Sequence, residues 1–374
     1  MKYKLSDICN LVSEKVKVSK LTKDRYISTE NMLADKNGIT IASSLPNTDK
    51  VRAFRTNDVL VSNIRPYFKK IWLAKFDGGC SNDILVFRAK DGVSENFLYY
   101  TLSNDDFFDY ATATAKGTKM PRGDKKAIMD YNVNKYIGGI QEKLVNILVD
   151  IDRLIQLNLT INKNLEEQVI TLYKAYFIDS ILNDRTMPPT WRHGTVSEIV
   201  EIHDAKRVPL SNRERATLAK IYPYYGATSI MDYVDKYLFE GIYLLLAEDG
   251  TVVDNKGYPV LQYVDGKFWV NNHAHILTGK NGYTTELLYL LFKLTNVNSI
   301  VTGAVQPKIN QSNLLNLGII IPSRESLENF NTLIQPFFAE IRKLRAANHK
   351  LVALKNSLLP KLISGNLNSF SIND

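Results

Sequence analysis

The chain has few cysteines, two in 374 residues, Cys9 and Cys80. Two thiols cannot frame a disulfide scaffold or fill a zinc site, which fits a reducing compartment. No apolar run reaches the ~18 residues of a membrane span. The opening MKYKLSDICNLV has no apolar secretion core, so a cytoplasmic protein without a membrane partner is expected. There is no Gly-x-x-x-x-Gly-Lys-Ser/Thr loop, and no Gly-x-Gly-x-x-Gly loop follows a strand. An ATPase site and a dinucleotide site are therefore not indicated. Acidic residues are the minority, 39 against 47 Lys plus Arg, a net charge of +8. That excess favours a polyanionic partner, although solubility alone would also explain it.

Proline and glycine are both missing from residues 141–179, and the rest of the chain is organised around that stretch. Its apolar stripe is Leu144, Leu148, Ile151, Ile155, Leu165, Val169, Leu172 and Tyr176, interrupted only by Asn158 and Asn162. A heptad stripe of this extent predicts a helix about 58 Å long, a strut or half of a coiled coil. A long core helix is the alternative. A second stripe occupies residues 327–364: Phe330, Ile334, Phe337, Ile341, Leu344, Asn348, Leu351, Lys355, Leu358 and Leu362. Pro336 is expected to kink that helix or mark a restart.

The remaining segments are strand-rich. Residues 1–140 form one domain, with strands expected at 58–62, 71–74 and 83–87 and helices at 95–102 and 105–113. The central helix fills 141–182. Residues 183–189 are a linker that ends in two prolines. A second domain covers 190–322. Its strand candidates are 237–238, 243–247, 260–263 and 274–277, with a helix at 285–294. Turns are expected at Glu248-Asp249-Gly250, Asn255-Lys256-Gly257 and Asp265-Gly266, and a polar loop at 302–310. Residues 323–374 hold the second helix and a tail. The fold class is α+β, two mixed α/β domains separated by two long antiparallel helices.

The two halves repeat each other. Asn82, Lys90, Gly92, Leu98 and Tyr99 recur 190 residues later as Asn272, Lys280, Gly282, Leu288 and Tyr289. At a shift of 186, Gly117, Pro121 and Arg122 become Gly303, Pro307 and Lys308, and Ile155, Asn162, Leu165 and Leu172 become Ile341, Asn348, Leu351 and Leu358. This predicts a pseudo-twofold layout with a helix seam at Leu144, Ile151, Asn158, Asn162, Leu165, Leu172, Ile341, Asn348, Leu351, Leu358 and Leu362. An Asn at a seam position can fix register, and the register expected places Leu144 against Leu362 and Asn158 against Asn348.

Several runs carry the resemblance to a known family. They are Ser62-Asn63-Ile64-Arg65-Pro66-Tyr67-Phe68-Lys69-Lys70, Gly-x-x-x-Pro-Arg/Lys at Gly117 and Gly303, and Trp269 through Leu277. The closing run is Leu358-Leu359-Pro360-Lys361-Leu362-Ile363-Ser364-Gly365. In this order, doubled around two long helices, the chain resembles the specificity (S) subunit of a Type I restriction-modification system. The resemblance implies two target recognition domains, each reading half of an asymmetric, interrupted double-stranded DNA site. It implies that the helices space the domains and dock methyltransferase (M) subunits, two of them, and restriction (R) subunits. S-adenosylmethionine, ATP and Mg would be held by those partners, with no catalytic site in this chain. Consistently, no Asn-Pro-Pro-aromatic run of an adenine methyltransferase occurs.

Matching the family's loops gives two sets of candidate DNA contacts. The first is Arg52, Arg55, Asn63, Arg65, Tyr67, Lys69, Lys70, Lys119 and Arg122. The second is Tyr224, Tyr225, Thr228, Asn255, Lys256, Lys267, Asn272, His273, Gln306, Lys308 and Asn310. Arg and Lys suit phosphate or guanine, and Asn and Gln suit adenine. The bland alternative for each is a solvated loop residue. His273-x-His275 puts two imidazoles on one strand face, but without a third ligand of obvious spacing no metal is expected. Glu248-Asp249 reads as a turn rather than a catalytic pair, with acceptance from cytosine N4 left open. A coiled-coil interaction scaffold without a DNA role is the alternative function.

Overall fold

The computed structural model describes residues 2–134, 139–179, 186–303 and 305–364. The chain forms two compact units, residues 1–157 with 348–374, and residues 158–347. This division cuts both long helices instead of falling at their ends, the boundary expected from the sequence. Residues 180–185 of the helix end and linker, Ala304 of the polar loop, and the tail from Gly365 lie outside the described residues.

In the first unit one sheet has the order Cys9–Leu11, Ile84–Ala89, Val59–Ser62, Ile71–Leu73. A second sheet has the order Lys15–Lys17, Lys50–Phe54, Gly78–Cys80, Tyr26–Ile27. The strand Val59–Ser62 is buried along its whole length, and its period of two sorts the core. Val59 and Val61, with Leu85 and Phe87, face a cluster that contains Leu98, Leu144, Leu148, Leu358 and Leu362. Leu60, with Ile84 and Val86, faces the other way onto Phe54. Helices Glu95–Leu102 and Asp105–Ala113 lie where the sequence puts them. The first is capped by Ser94, whose hydroxyl accepts from the Phe97 amide.

In the second unit a six-stranded sheet has the order Val200–Ile202, Ala274–Gly279, Phe239–Ala247, Leu261–Val270, Tyr222–Tyr225, Ile230–Val234. The same alternation holds: Leu244, Leu246 and Leu277 face one cluster, Leu245 and Ile276 the other. Thr284 caps the helix Thr285–Leu294 as Ser94 caps its copy. Two expectations fail here. Residues 237–238 are not strand, because the strand begins at Phe239. Asp265-Gly266 is not a turn, because Gly266 (φ 90°) faces Gly241 (φ 133°) across the ladder, and two glycines let both strands run through.

The long helices are Ile140–Tyr173, continued by a π-helical turn at Lys174–Ile178, and Arg324–Ser364. Within the first unit they run antiparallel. Lys355 Nζ sits 2.6 Å from the Asp152 carboxylate, and Asn348 Nδ2 donates to the Ile155 carbonyl at 3.3 Å. Leu144, Ile151, Leu358 and Leu362 are buried in one cluster and Leu351 packs on it. In the second unit Ile341 is buried, and Leu165 and Leu172 pack on its cluster. The Asn162 side-chain oxygen is buried without a hydrogen bond. The stripe departs from expectation at its end. Tyr173 and Phe177 are buried against Phe330, whereas Tyr176 is 38% exposed. The inward position has already moved from Leu172 to Tyr173 ahead of the π turn, and the turn carries it on to Phe177. In the second stripe Phe330 is buried as expected, but Phe338 is the fully buried ring where the stripe places Phe337. Pro336 neither breaks nor restarts the helix, because it lies on the exposed face, where water can satisfy the carbonyl it frees. Among the described residues no helix is long and apolar enough to cross a membrane.

Candidate nucleic-acid interface

Each unit carries the same strap. In the first, the chain turns at Gly117 (φ 97°), and Lys116 and Arg122 exchange backbone bonds of 2.8 and 2.9 Å. In the second, Gly303 (φ 85°) turns the chain, and Thr302 and Lys308 exchange bonds of 2.8 and 2.7 Å. The left-handed backbone at this point is why both turns need glycine. The strap is laced to the loop that leaves the central strand. The Arg65 amide donates to the Pro121 carbonyl (2.8 Å), the Gly123 amide to Asn63 (3.1 Å), and the Asn63 amide to Asp83 (2.8 Å). The copies are Gly250 to Pro307 (3.0 Å), Ile309 to Glu248 (2.9 Å), and Glu248 to His273 (2.9 Å). The frame therefore equates Asn63 with Glu248, Arg65 with Gly250, and Arg122 with Lys308.

In the first unit the frame gathers Asn63, Arg65, Tyr67, Lys69, Lys70, Lys119 and Arg122 on two neighbouring loops. Arg122 Nε lies 3.0 Å from the Asp83 carboxylate. Lys69 and Lys36 share Asp105, at 2.9 and 2.8 Å. Lys70 donates to the Thr29 carbonyl at 2.6 Å, and burial lowers its pKa. Tyr67 and Phe68 are exposed, with ring centroids 4.8 Å apart, and Lys119 is exposed near the strap's tip. Arg55 pairs with Glu14 at 3.0 Å, and Arg52 turns inward to the Ile84 carbonyl. Asn63 is 7% exposed, and its side-chain oxygen is buried without a partner. Arg65 has φ 49° and ψ 66° directly before Pro66, a left-handed conformation that costs a non-glycine residue about 1–2 kcal/mol. Its Nε is buried without a hydrogen bond.

In the second unit the same positions form a closed ionic network. Glu248 is 2.6 Å from Arg207 and 3.1 Å from Lys308. Arg207 also donates to the Ala274 carbonyl at 3.0 Å and lies 3.4 Å from Asp204. The His275 ring is buried between two acceptors, Asp204 at 2.6 Å on Nδ1 and the Ile309 carbonyl at 2.8 Å on Nε2. A carbonyl and a carboxylate both accept, so both nitrogens carry protons and the ring is an imidazolium. Burial alone would lower its pKa, but Asp204, Ile309 and Glu248 together hold it above the ordinary 6.5. Burial pushes the Glu248 carboxyl up, yet Arg207, His275 and Lys308 hold it below the usual range. Asp204, Glu248 and His275 come within 4.8 Å of one another, as metal ligands would. Their two negative charges are already met by Arg207, Lys308 and the imidazolium, which leaves no charge for a cation to neutralise.

The remaining candidates separate. His273 binds Asp249 at 2.7 Å, so the two imidazoles of the His-x-His pair serve different carboxylates. Tyr224 is 1% exposed, stacked under Arg215 and bonded to the Leu210 backbone, a packing residue rather than a surface one. Tyr225 is half-buried edge-on to Phe268, and burial raises its hydroxyl pKa to about 12. Asn310 spends its oxygen capping the helix Gln311–Leu315, accepting from Asn313 at 2.7 Å. Lys267 lies over the Tyr237 ring at 4.7 Å. Thr228, Asn255, Lys256, Asn272 and Gln306 are exposed.

Arg207 and Asp204 were not legible in the sequence. Repeat arithmetic at 186 or 190 does not link Arg207 to Arg52, since the two are 155 residues apart. Both guanidiniums nevertheless donate through Nη1 to the carbonyls of Ile84 and Ala274, which are repeat equivalents.

Comparison with known proteins follows the same duplication. The family model for the Type I restriction modification DNA specificity domain matches residues 1–167 and again 188–345. A protein of Haemophilus influenzae named as a putative type I restriction enzyme specificity subunit is 36% identical over 129 residues, 34% of this chain and 32% of that protein. The Type I restriction enzyme MjaIX specificity subunit of Methanocaldococcus jannaschii is 24% identical over 74% of this chain and 70% of its own length. The chain thus spans about a third of the first relative and 70% of the second. The crystal structure of a Type I restriction-modification S subunit from M. genitalium shares the fold, with a TM-score of 0.55 over 97% of this chain and 96% of that one at 14% identity.

Proposed function

This chain belongs to the Type I restriction modification DNA specificity family, and on that premise we propose that it reads DNA for such a system. Each unit takes one half of an asymmetric, interrupted site. The observation that carries the reading is the duplicated strap. One backbone frame presents a cation at corresponding places, Arg122 and Lys308, with side chains 53% and 47% exposed. Cations so placed suit phosphate or guanine, and the different neighbours of each suit half-sites of different sequence. The chemistry lies in partner subunits. Two methyltransferase subunits would hold S-adenosylmethionine, restriction subunits would use ATP and Mg, and the long helices would dock them.

Electrophoretic shift of the assembled complex with mixed genomic DNA tests the reading against an interaction scaffold. A DNA reader loses affinity linearly in log salt with a slope set by its phosphate contacts. A scaffold gives no salt-dependent shift, and that result would reject the proposal.

A further inference from the structure

We infer that Arg65 is a specificity-determining residue of the first unit and takes the edge of a guanine, a contact with no counterpart in the second unit. The inference rests on the reading of the chain as a DNA specificity subunit and deepens it.

The backbone frame supplies the first ground. Arg65 and Gly250 make the same bond to the strap, and both are left-handed, at φ 49° and 79°. Glycine takes that conformation freely. The frame does not otherwise demand a small residue, since a Cβ on Gly250 would meet nothing within 4 Å. Arginine thus stands where glycine is cheaper, and immediately before Pro66, which restricts it further. Backbone strain retained in this way is typical of a functional position.

The second ground is the guanidinium itself. Arg52, Arg55 and Arg122 each have an acceptor, whereas no Arg65 side-chain nitrogen has a hydrogen bond or ion pair among the described residues. A buried N–H without a partner is rare, and it leaves the guanidinium held by no bond within the protein. The backbone of Arg65 is locked at both ends, its amide to Pro121 (2.8 Å) and its carbonyl to the Phe68 amide (3.0 Å). Only the side chain is left to engage a ligand. A planar fork of donors, with no acceptor of its own, matches the paired N7 and O6 acceptors of guanine in the major groove.

The test uses the full chain assembled with its methyltransferase partners, comparing the unaltered chain with Arg65→Gly and Arg65→Lys by methylome sequencing and urea unfolding. Arg65→Gly is expected to unfold at an equal or higher midpoint, because glycine relieves the backbone. It should also lose a guanine requirement at one position of one half-site, with discrimination there falling roughly 5- to 150-fold. The other half-site should be unchanged, and Arg65→Lys should retain part of the discrimination. An unchanged motif, a uniform loss of methylation at all sites, as for a phosphate contact, or relaxation in both halves would each overturn the inference. If the unaltered chain directs no split motif, the specificity reading itself falls and takes the inference with it.

Discussion

In the first unit the strap frame holds an uncharged amide, Asn63, with an unbonded oxygen, and in the second it holds Glu248, bound by Arg207 and Lys308. Identical backbone bonds therefore support opposite electrostatics. The second frame is closed by charges that satisfy one another, while the first keeps two polar groups, Asn63 and Arg65, unspent. A closed network fixes geometry, whereas side chains with no bond inside the protein are free to turn toward a ligand. The duplicated fold thus holds position constant while the side chains on it vary.

The largest test of that contrast removes the equivalent residues. Glu248→Ala leaves three cations, Arg207, Lys308 and the His275 imidazolium, to Asp204 alone and should cost about 3–5 kcal/mol in urea unfolding. Asn63→Ala removes a group that bonds to nothing and should cost about 1 kcal/mol or less. Equal losses would erase the distinction between the frames. Next in size is His275→Gln, expected to cost about 1–3 kcal/mol by leaving the partners of the imidazolium unsatisfied.

The same ring predicts a pH dependence. Its folded pKa is raised, so its contribution is full below the ordinary 6.5 and is lost as pH rises through the folded value. Hydrogen exchange should show the second unit's strap opening more readily above that window. The first unit's strap should show no such trend, since residues 1–157 hold no histidine and the unit's one histidine, His349, lies on the long helix Arg324–Ser364. The smallest effect on stability belongs to Arg122→Ala and Lys308→Ala, about 0–1 kcal/mol each for half-exposed pairs. Each should nevertheless lower the slope of log affinity against log salt by about one. A slope unchanged in both would remove the strap from the interface.

Much of this frame was legible in the residues, for identifiable reasons. The Gly-x-x-x-Pro-Arg/Lys runs at Gly117 and Gly303 mark the two straps, and the runs around Val59 and Leu244 read as strands. The helices expected at 95–102 and 285–294 form at those residues. What stayed hidden depends on tertiary partners. Gly266 reads as a turn until Gly241 is seen opposite it. Tyr176 fits the heptad until the buried face is seen to pass through Tyr173 and Phe177. Arg207 matches no repeat position, and Tyr224 and Asn310 look like readers until their packing and capping partners are known.

The most direct measurement is methylome sequencing of cells that express this chain with the methyltransferase subunits proposed to partner it, against cells lacking it. Two frames with one geometry and different side chains predict a single adenine-methylated motif, asymmetric and split by a fixed gap, that disappears with the chain. A palindromic or continuous motif, or methylation that persists without the chain, would contradict the account.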